Sequence, residues 1–468
     1  MIEPRHDGIA SQLGEPRDEF GEIDMTIGLD FGTSSVKVVI RDSARRAYVI
    51  PFFSEAASHP YFLPSRLFES YGLYQLAGGG VSHRDLKLRL LDPIQSDDDF
   101  QRAAAFLALV IRRCRGWLFS EKADVYRHAR LNWFLNLGLP AESYLNSNLV
   151  VRFRALALAA INLANSAGKA VTVDSTRAYC KWAPKAVREE DEPRDDVNPT
   201  VSGDMVEVVP EISAQVYGYV KSLRFDEDAA NVYMLVDIGA GTVDASIFHV
   251  RKEAGDTIGF VMYASNVEQN GVMNLHRERL NWLRKTFAVL AAPNPAALRA
   301  LEEIERPTDR LDAIPNALGE YFQGVRFNFN TPNEDPDQVF YRDSYRRQVF
   351  VNTLLRVRGR KLRDAQLHGL PIFLTGGGSR MEYFNRIVHE INGDQSMSWA
   401  RLRIDPLEPP RELIAPGLKS SEYDRLSVAF GLSFIRLGKY IRAQDVPDLP
   451  TPWTPRRYTA EFISKDQV

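Results

Sequence analysis

Val236-Asp237-Ile238-Gly239-Ala240-Gly241-Thr242-Val243-Asp244 decides how this chain is read. An apolar strand runs into an Asp, glycines follow at the second and fourth positions, and a second strand leaves. Glycine accepts the backbone angles of a tight turn and lets amide N–H groups approach an anion closely. The same start, an Asp two residues before a glycine with hydroxyls close behind, recurs in Ile27-Gly28-Leu29-Asp30-Phe31-Gly32-Thr33-Ser34. Another glycine turn, Leu374-Thr375-Gly376-Gly377-Gly378-Ser379-Arg380, lacks the Asp and opens a helix expected over 381–391. Taken singly, each is an ordinary turn or loop. Their order and spacing make them a set.

The chemistry that fits two such turns is nucleoside triphosphate binding with Mg2+. Mg2+ prefers octahedral oxygen ligation, keeps most of its waters, and is held through one or two carboxylates plus phosphate oxygens. Asp30 and Asp237 are the expected metal carboxylates. The hydroxyls of Thr33, Ser34 and Thr242, with the backbone of Gly32, Gly239, Ala240 and Gly241, would donate to the β and γ phosphates. At the remaining turn, Gly376, Gly377 and Gly378 offer bare backbone to a base and ribose, with Arg380 stacked on the base.

This order resembles the actin, sugar-kinase and heat-shock ATPase superfamily, and most closely the nucleotide-binding domain of the heat shock protein 70 family. Val208-Val209-Pro210-Glu211-Ile212-Ser213-Ala214-Gln215-Val216-Tyr217-Gly218-Tyr219 is similar to that family's first connecting helix. The family has a Glu-Pro-type turn there; here the pair reads Pro-Glu, and Glu211 is the functional carboxylate the resemblance implies. Trp133-Phe134-Leu135-Asn136-Leu137-Gly138-Leu139-Pro140-Ala141 resembles the strand that ends in Val-Pro-Ala, with Pro140 as the proline that relays nucleotide state. Arg152 and Arg154 lie near the family's linked arginine, off its matching offset. His83-Arg84-Asp85-Leu86-Lys87-Leu88-Arg89 falls where the family places a catalytic lysine, and Lys87 is the candidate. Ser427-Val428-Ala429-Phe430-Gly431-Leu432 resembles the second connecting helix.

The resemblance covers residues 25–440 and implies an α/β, two-lobed, actin-like ATPase fold of duplicated ribonuclease H-like lobes with outer subdomains. The expected divisions are a disordered arm over 1–24, lobe I over 25–210 with an insertion near 169–205, lobe II over 211–440 with an outer subdomain near 266–330, and an extended tail over 441–468. ATP and Mg2+ are the implied cofactors. Asp30 and Asp237 would hold the metal mainly through its waters, Lys87, Glu211 and Asp244 would orient the attacking water, and Thr242 would donate to the γ-phosphate. Positioning and electrostatics are what phosphoryl transfer asks of a protein. Asp244 also reads as a residue bonding turn amides, and Lys87 as a surface lysine.

Composition agrees with an intracellular, enzyme-sized chain. The 468 residues are 44% hydrophobic and 25% charged, ordinary for a globular protein, and suffice for several subdomains. The net charge of -3 argues against a general attraction to nucleic acid or anionic membrane. Cys114 and Cys180 stand in unrelated contexts, which favours buried thiols and a cytoplasmic setting. Apolar runs such as Ala103 to Ile111 fall short of the roughly 20 residues needed to span a bilayer. The histidines form no metal-ligand cluster.

Thr26 to Arg41 and Val232 to His249 predict two strand-turn-strand units, the second repeating the first. Helical spacing marks 100–117, 146–168, 272–290, 296–304 and 311–322. Arg277, Arg279 and Arg284 are either adenine contacts or a solvated helix face. The charge run over 188–196 reads as a solvated loop or an interaction tail. The proline-rich end leaves no room for a β-sandwich peptide-binding domain, and Val446 to Leu449 would dock as the family's linker does.

Three functions follow as expectations. The preferred one is a heat-shock-like ATPase, slow in turnover, whose lobe motion gates an unidentified protein partner. An actin-like filament former and a small-molecule kinase of the same superfamily are the alternatives, and a chain that binds ATP without hydrolysing it also stays open.

Overall fold

Strand β1 (Glu22–Phe31) pairs antiparallel with β2 (Ser35–Asp42), and β2 with β3 (Ala47–Val49) and β4 (Leu63–Pro64). These strands come from a computed structural model that describes residues 15–54, 57, 59–92, 96–166, 170–188, 197–222, 224–226, 229, 231–252, 258–289, 295–305, 314–321, 334–434 and 439–442. On the other side of β1, β8 (Arg130–Leu139) runs parallel to it, and β10 (Val206–Pro210) runs parallel to β8. A second sheet repeats the plan. There β11 (Val232–Ile238), β12 (Val243–Lys252) and β13 (Ile258–Glu268) form an antiparallel meander, with β14 (Leu370–Thr375) parallel to β11 and β15 (Leu402–Ile404) parallel to β14. The orders β3-β2-β1-β8-β10 and β13-β12-β11-β14-β15 agree position by position, direction included.

Smaller strands complete the set. A separate sheet in the order β7-β5-β6-β9 joins β5 (Leu67–Ser70), β6 (Leu73–Gln75), β7 (Val81–His83) and β9 (Val171–Thr172). Each large sheet gains an edge strand from late in the chain: β16 (Leu413–Ile414) lies parallel to β3, and β17 (Lys439–Arg442) parallel to β13.

The side-chain alternation of β1 explains the layering. Met25, Ile27, Leu29 and Phe31 join a core with Phe106 and Ala103 of α2 (Asp97–Glu121) and Leu156 and Ala160 of α5 (Ser147–Asn165). Short α1 (Leu86–Leu91), α3 (Ala123–Tyr126) and α4 (Ala141–Tyr144) and the longer α6 (Val173–Val187) complete that lobe. The second sheet turns Met234, Val236 and Ile238 toward its own core, shared with α12 (Glu382–Gly393) and a wide helix of π type over Tyr341–Leu355. Beyond it lie α8 (Val272–Val289), α9 (Pro295–Glu305), α10 (Pro336–Phe340) and α11 (Asp364–Leu367).

Between the sheets sit α7 (Glu211–Val220) and α13 (Ser427–Leu432). Ile212 and Val216 from α7, Ala429 and Phe430 from α13, Val39 and Val49 from the first sheet, and Leu235, Phe248 and Phe373 from the second form one shared core. The helices touch through bare backbone, since a Cβ on Gly431 would overlap the backbone of Ala214. Asn136, on β8, donates from Nδ2 to the carbonyls of Leu432 and Phe434 at 2.8 and 2.7 Å and so ties the end of α13 to the first sheet.

Several elements differ from sequence expectation. Strand β1 begins at Glu22, inside the expected arm, because Glu22 to Asp24 pair with Arg130 to Asn132. Residues 1–14 lie outside the described residues, as do 189–196 of the charge run and 443–468, including the Val446 to Leu449 segment. The expected insertion contains α6, started by a Thr172/Ser175 capping box and continuing through Pro184. Of the helix expected over 311–322, residues 314–321 are described and carry only a single 3-10 turn, Leu318–Tyr321. Cys114 and Cys180 are free and buried.

Helix α5 is long and apolar enough to cross a membrane by length and composition. Here it is a core helix packed against α2 and α6, and its end is gripped by a buried cation. Arg112 donates to the carbonyls of Leu163, Ala164 and Ser166, a positive charge placed where the helix dipole is negative.

Candidate functional site

The two hairpin turns face one another across the gap between the sheets. Thr33 belongs to the first and Gly241 to the second, and a Cβ on Gly241 would meet Cγ2 of Thr33 at 3.3 Å and Cδ1 of Leu88 at 3.7 Å. Each turn has its carbonyls tied back. In the first, Gly32 accepts from the Ser65 hydroxyl at 2.7 Å and Ser34 from the Ser65 amide at 2.9 Å. In the second, the carbonyls of Gly239, Ala240 and Gly241 accept from the amides of Val272, Met273 and Gly271 at the start of α8, and the Asn274 side chain adds a bond to Gly241 at 2.8 Å. The Gly239 amide, expected to donate to phosphate, is instead spent on the Thr242 carbonyl at 2.9 Å. With the carbonyls committed to the scaffold, it is the other turn amides that are left to offer an anion.

Acidic side chains gather below these turns. Asp30 and Asp237 are each the last-but-one residue of their strands, β1 and β11, at matching places in the duplicated order. Lys87, at the start of α1, donates to Glu211 Oε1 at 2.5 Å, and both are largely buried. Pro210 ends β10 and Glu211 is the first residue of α7, so the strand-to-helix turn aims this carboxylate at α1. Lys37 lies opposite Asp30 in the hairpin register and donates to Asp30 Oδ2 at 2.9 Å.

Burial and crowding raise the acids. Burial, then the charge of Glu211, push the Asp237 carboxyl up to about 7; Asp30 and Asp244 add to the rise and Lys37 opposes it. Asp244 is likewise pushed up to about 7, chiefly by burial, against hydrogen bonds from Ser246 and from the backbone of Ala141. The Glu211 carboxyl is raised by burial, with Lys87 opposing. Asp30, Glu211, Asp237 and Asp244 thus crowd one buried place, with the ammonium groups of Lys37 and Lys87 set against them. That donor set fits a hydrated Mg2+ held in part by phosphates, and among the described residues no three His, Cys, Asp or Glu side chains cluster closely enough to ligate a metal directly.

Ala141 and Glu142 reach the second sheet from the first lobe. The Glu142 carboxylate accepts from the amide of Val267 at 3.0 Å, beside the Ala141 contact to Asp244. Pro140 precedes α4 and fixes this approach. Arg152 and Arg154 do not join it: Arg154 donates to the carbonyl of Gly203 at 2.8 Å and Arg152 stacks over Phe100.

The glycine turn after β14 packs onto the floor of the site. Gly376 has φ of 80°, and a Cβ there would run into the carboxylate of Asp237 and the carbonyl of Ile238. Gly377 is exposed and a Cβ on it would meet nothing, while Gly378 is wedged against Ile238 and Val272. Arg380 is held by Asp424, Nη2 to Oδ1 at 2.6 Å, and by the carbonyls of Ser421 and Gly376. Its guanidinium is half-exposed beside the open backbone of Gly377.

On α8 the three arginines part company. Arg277 and Arg284 bond locally to Asn274 and Asn281 on the exposed face. Arg279 is fully buried, bidentate to Asp337 at 2.6 and 2.9 Å and bonded to the carbonyls of Pro315 and Asn316. It is neither a solvated side chain nor free to meet a base.

Sequence reading passed over Lys37, Asp424, Glu142 and the Gly271 to Asn274 brace. Lys37 had a signal: across a short hairpin, the residue seven places after Asp30 lies opposite it. The others depend on partners far along the chain. The chain matches no protein-family model and no curated protein sequence.

Proposed function

We propose that this protein binds ATP with Mg2+ between two actin-like lobes of the heat shock protein 70 type, hydrolyses it slowly, and uses lobe motion to gate a protein partner. The observation that carries the reading is the pairing of duplicated sheets whose Asp-Gly turns face each other over a buried acidic cluster. Hydrated Mg2+, when bound, supplies the positive charge that this cluster and a triphosphate both need. Asp30 and Asp237 accept from its waters. The turn amides other than that of Gly239, with Thr33, Ser34 and Thr242, donate to phosphate oxygens.

Glu211, held by Lys87, orients the attacking water, and Asp244 fixes its other side. Such a site relies on positioning more than on a strong base, which fits a slow ATPase. Gly377, the exposed glycine of its turn, lies against the ribose in place of the three glycines expected, since Gly376 and Gly378 are packed inward. Arg380, clamped by Asp424, presents a flat cation to the base. Nucleotide that draws the turns together also bears on Glu142 and Val267, a contact between the lobes, and this couples the site to their relative position.

The test is single-turnover hydrolysis of ATP with Mg2+, for wild type, Asp237→Asn and Glu211→Gln, with binding measured by calorimetry. Slow release of phosphate without any added acceptor, lost in both variants, is the expected result. Tight binding without turnover reduces the protein to a nucleotide sensor, and absence of binding overturns the proposal.

A further inference from the structure

Resting on the nucleotide reading above, we infer that Lys37 is the built-in counter-cation of the cleft: it holds the place of the metal on Asp30 until phosphate draws it away. Lys37 and Asp30 sit on facing strands, on the sheet face turned toward α7 and α13, the face opposite the Met25, Ile27 and Leu29 core. Nζ lies 2.9 Å from Asp30 Oδ2 and 3.2 Å from where a Cβ of Gly32 would stand. The ammonium is therefore within the first turn itself, under the amide edge assigned to phosphate.

The two lysines of the site are not equivalent. Lys87 is 5% exposed and locked to Glu211 at 2.5 Å, whereas Lys37 is 15% exposed and makes its ion pair at a longer distance. A lysine is a point charge on a flexible four-carbon stem, so it can turn from a carboxylate to a phosphate without moving the backbone. The exchange balances in charge. The Lys37–Asp30 pair opens, the ammonium pairs with a phosphate oxygen, and the Asp30 carboxylate becomes free to accept from the waters of Mg2+.

Two consequences have opposite signs, which makes the inference sharp. Lys37 supports nucleotide binding most when Mg2+ is absent, and it opposes binding of Mg2+ when nucleotide is absent. Calorimetry on the full chain with ADP in EDTA, ADP with Mg2+, and Mg2+ alone tests both for wild type, Lys37→Met and Lys37→Arg, with thermal melts as the folding control.

The expected result is a loss of roughly tenfold or more in ADP affinity for Lys37→Met in EDTA, the worth of a charged hydrogen bond. The loss is smaller with Mg2+, Lys37→Arg restores most of the affinity, and Lys37→Met takes up Mg2+ alone more tightly than wild type. Equal ADP affinities in folded wild type and Lys37→Met, with Mg2+ uptake unchanged, overturn the role of Lys37 and leave the nucleotide reading standing. Failure of folded wild type to bind ADP under either condition overturns the nucleotide reading, and this inference with it.

Discussion

Gly241 faces Thr33 across the gap between the two sheets, so closely that one added methyl would meet the threonine Cγ2 at 3.3 Å. Thr33 is a partly exposed side chain that can turn aside, so Gly241→Ala is expected to fold normally. The methyl and the displaced Thr33 side chain intrude on the gap between the turns, and ATP affinity is expected to fall roughly fivefold to tenfold, about 1–1.4 kcal/mol. Calorimetry beside a thermal melt checks this; unchanged affinity would mean that the ligand does not sit between these turns.

The raised acids make the ligand-free protein sensitive to pH. A carboxyl whose folded value is raised to about 7, as for Asp237 and Asp244, favours the protonated folded state. Its stability contribution is present in full below the unfolded value near 4 and is lost as pH rises through about 7. Stability without nucleotide is thus expected to fall between pH 5 and pH 8. Even one pH unit of rise corresponds to about 1.4 kcal/mol, so Asp237→Asn should stabilise the protein at pH 8 by that order while abolishing hydrolysis. Urea titrations at the two pH values decide it, and a variant with the wild-type slope counts against the acidic cluster.

Arg279 separates a structural role from a ligand contact. Replacing it with Leu leaves the largely buried Asp337 uncompensated, at an expected cost of about 3–5 kcal/mol. The double variant with Asp337→Leu should recover part of that loss in a double-mutant cycle. Had Arg279 been an adenine contact, the single change would weaken ATP binding and leave stability intact.

Gly431 tests the seam between the lobes. Any side chain there overlaps the backbone of Ala214, so Gly431→Ala must separate α13 from α7, with an overpacking cost of about 1–3 kcal/mol or more. The strain falls on the shared core that joins the lobes, so the expected signature is a loss of cooperativity between them in hydrogen exchange, with α5 still protected. Uniform loss of protection everywhere would place the seam elsewhere.

The parts that were legible in the sequence are those whose signal is local. Asp30, Asp237 and the glycines after them announce themselves because turn and strand end lie within a few residues. The amphipathic spacing of α2 and α5 is equally plain. Lys37 needed one further step, the register of a hairpin, to be placed opposite Asp30. Arg279 was ambiguous because its partner Asp337 lies 58 residues away, and helical spacing says where a side chain points without saying what waits there. Helix α6 was hidden by Pro184, a residue that usually ends helices. Strand β16, two residues long, has no periodicity to read.

That two-residue strand bears on how the molecule comes to exist. Leu413 and Ile414 lie in the chain between β15 and α13, yet they pair with Ala47 and Tyr48 at the edge of the first sheet. A nascent chain therefore displays β3 as an open edge through the synthesis of the whole second meander, and α7 too is made long before α13. Open strand edges invite pairing with other chains. The first half, severed or stalled, keeps its own core but lacks β16 and α13, and is expected to expose one strand edge as a template for aggregation.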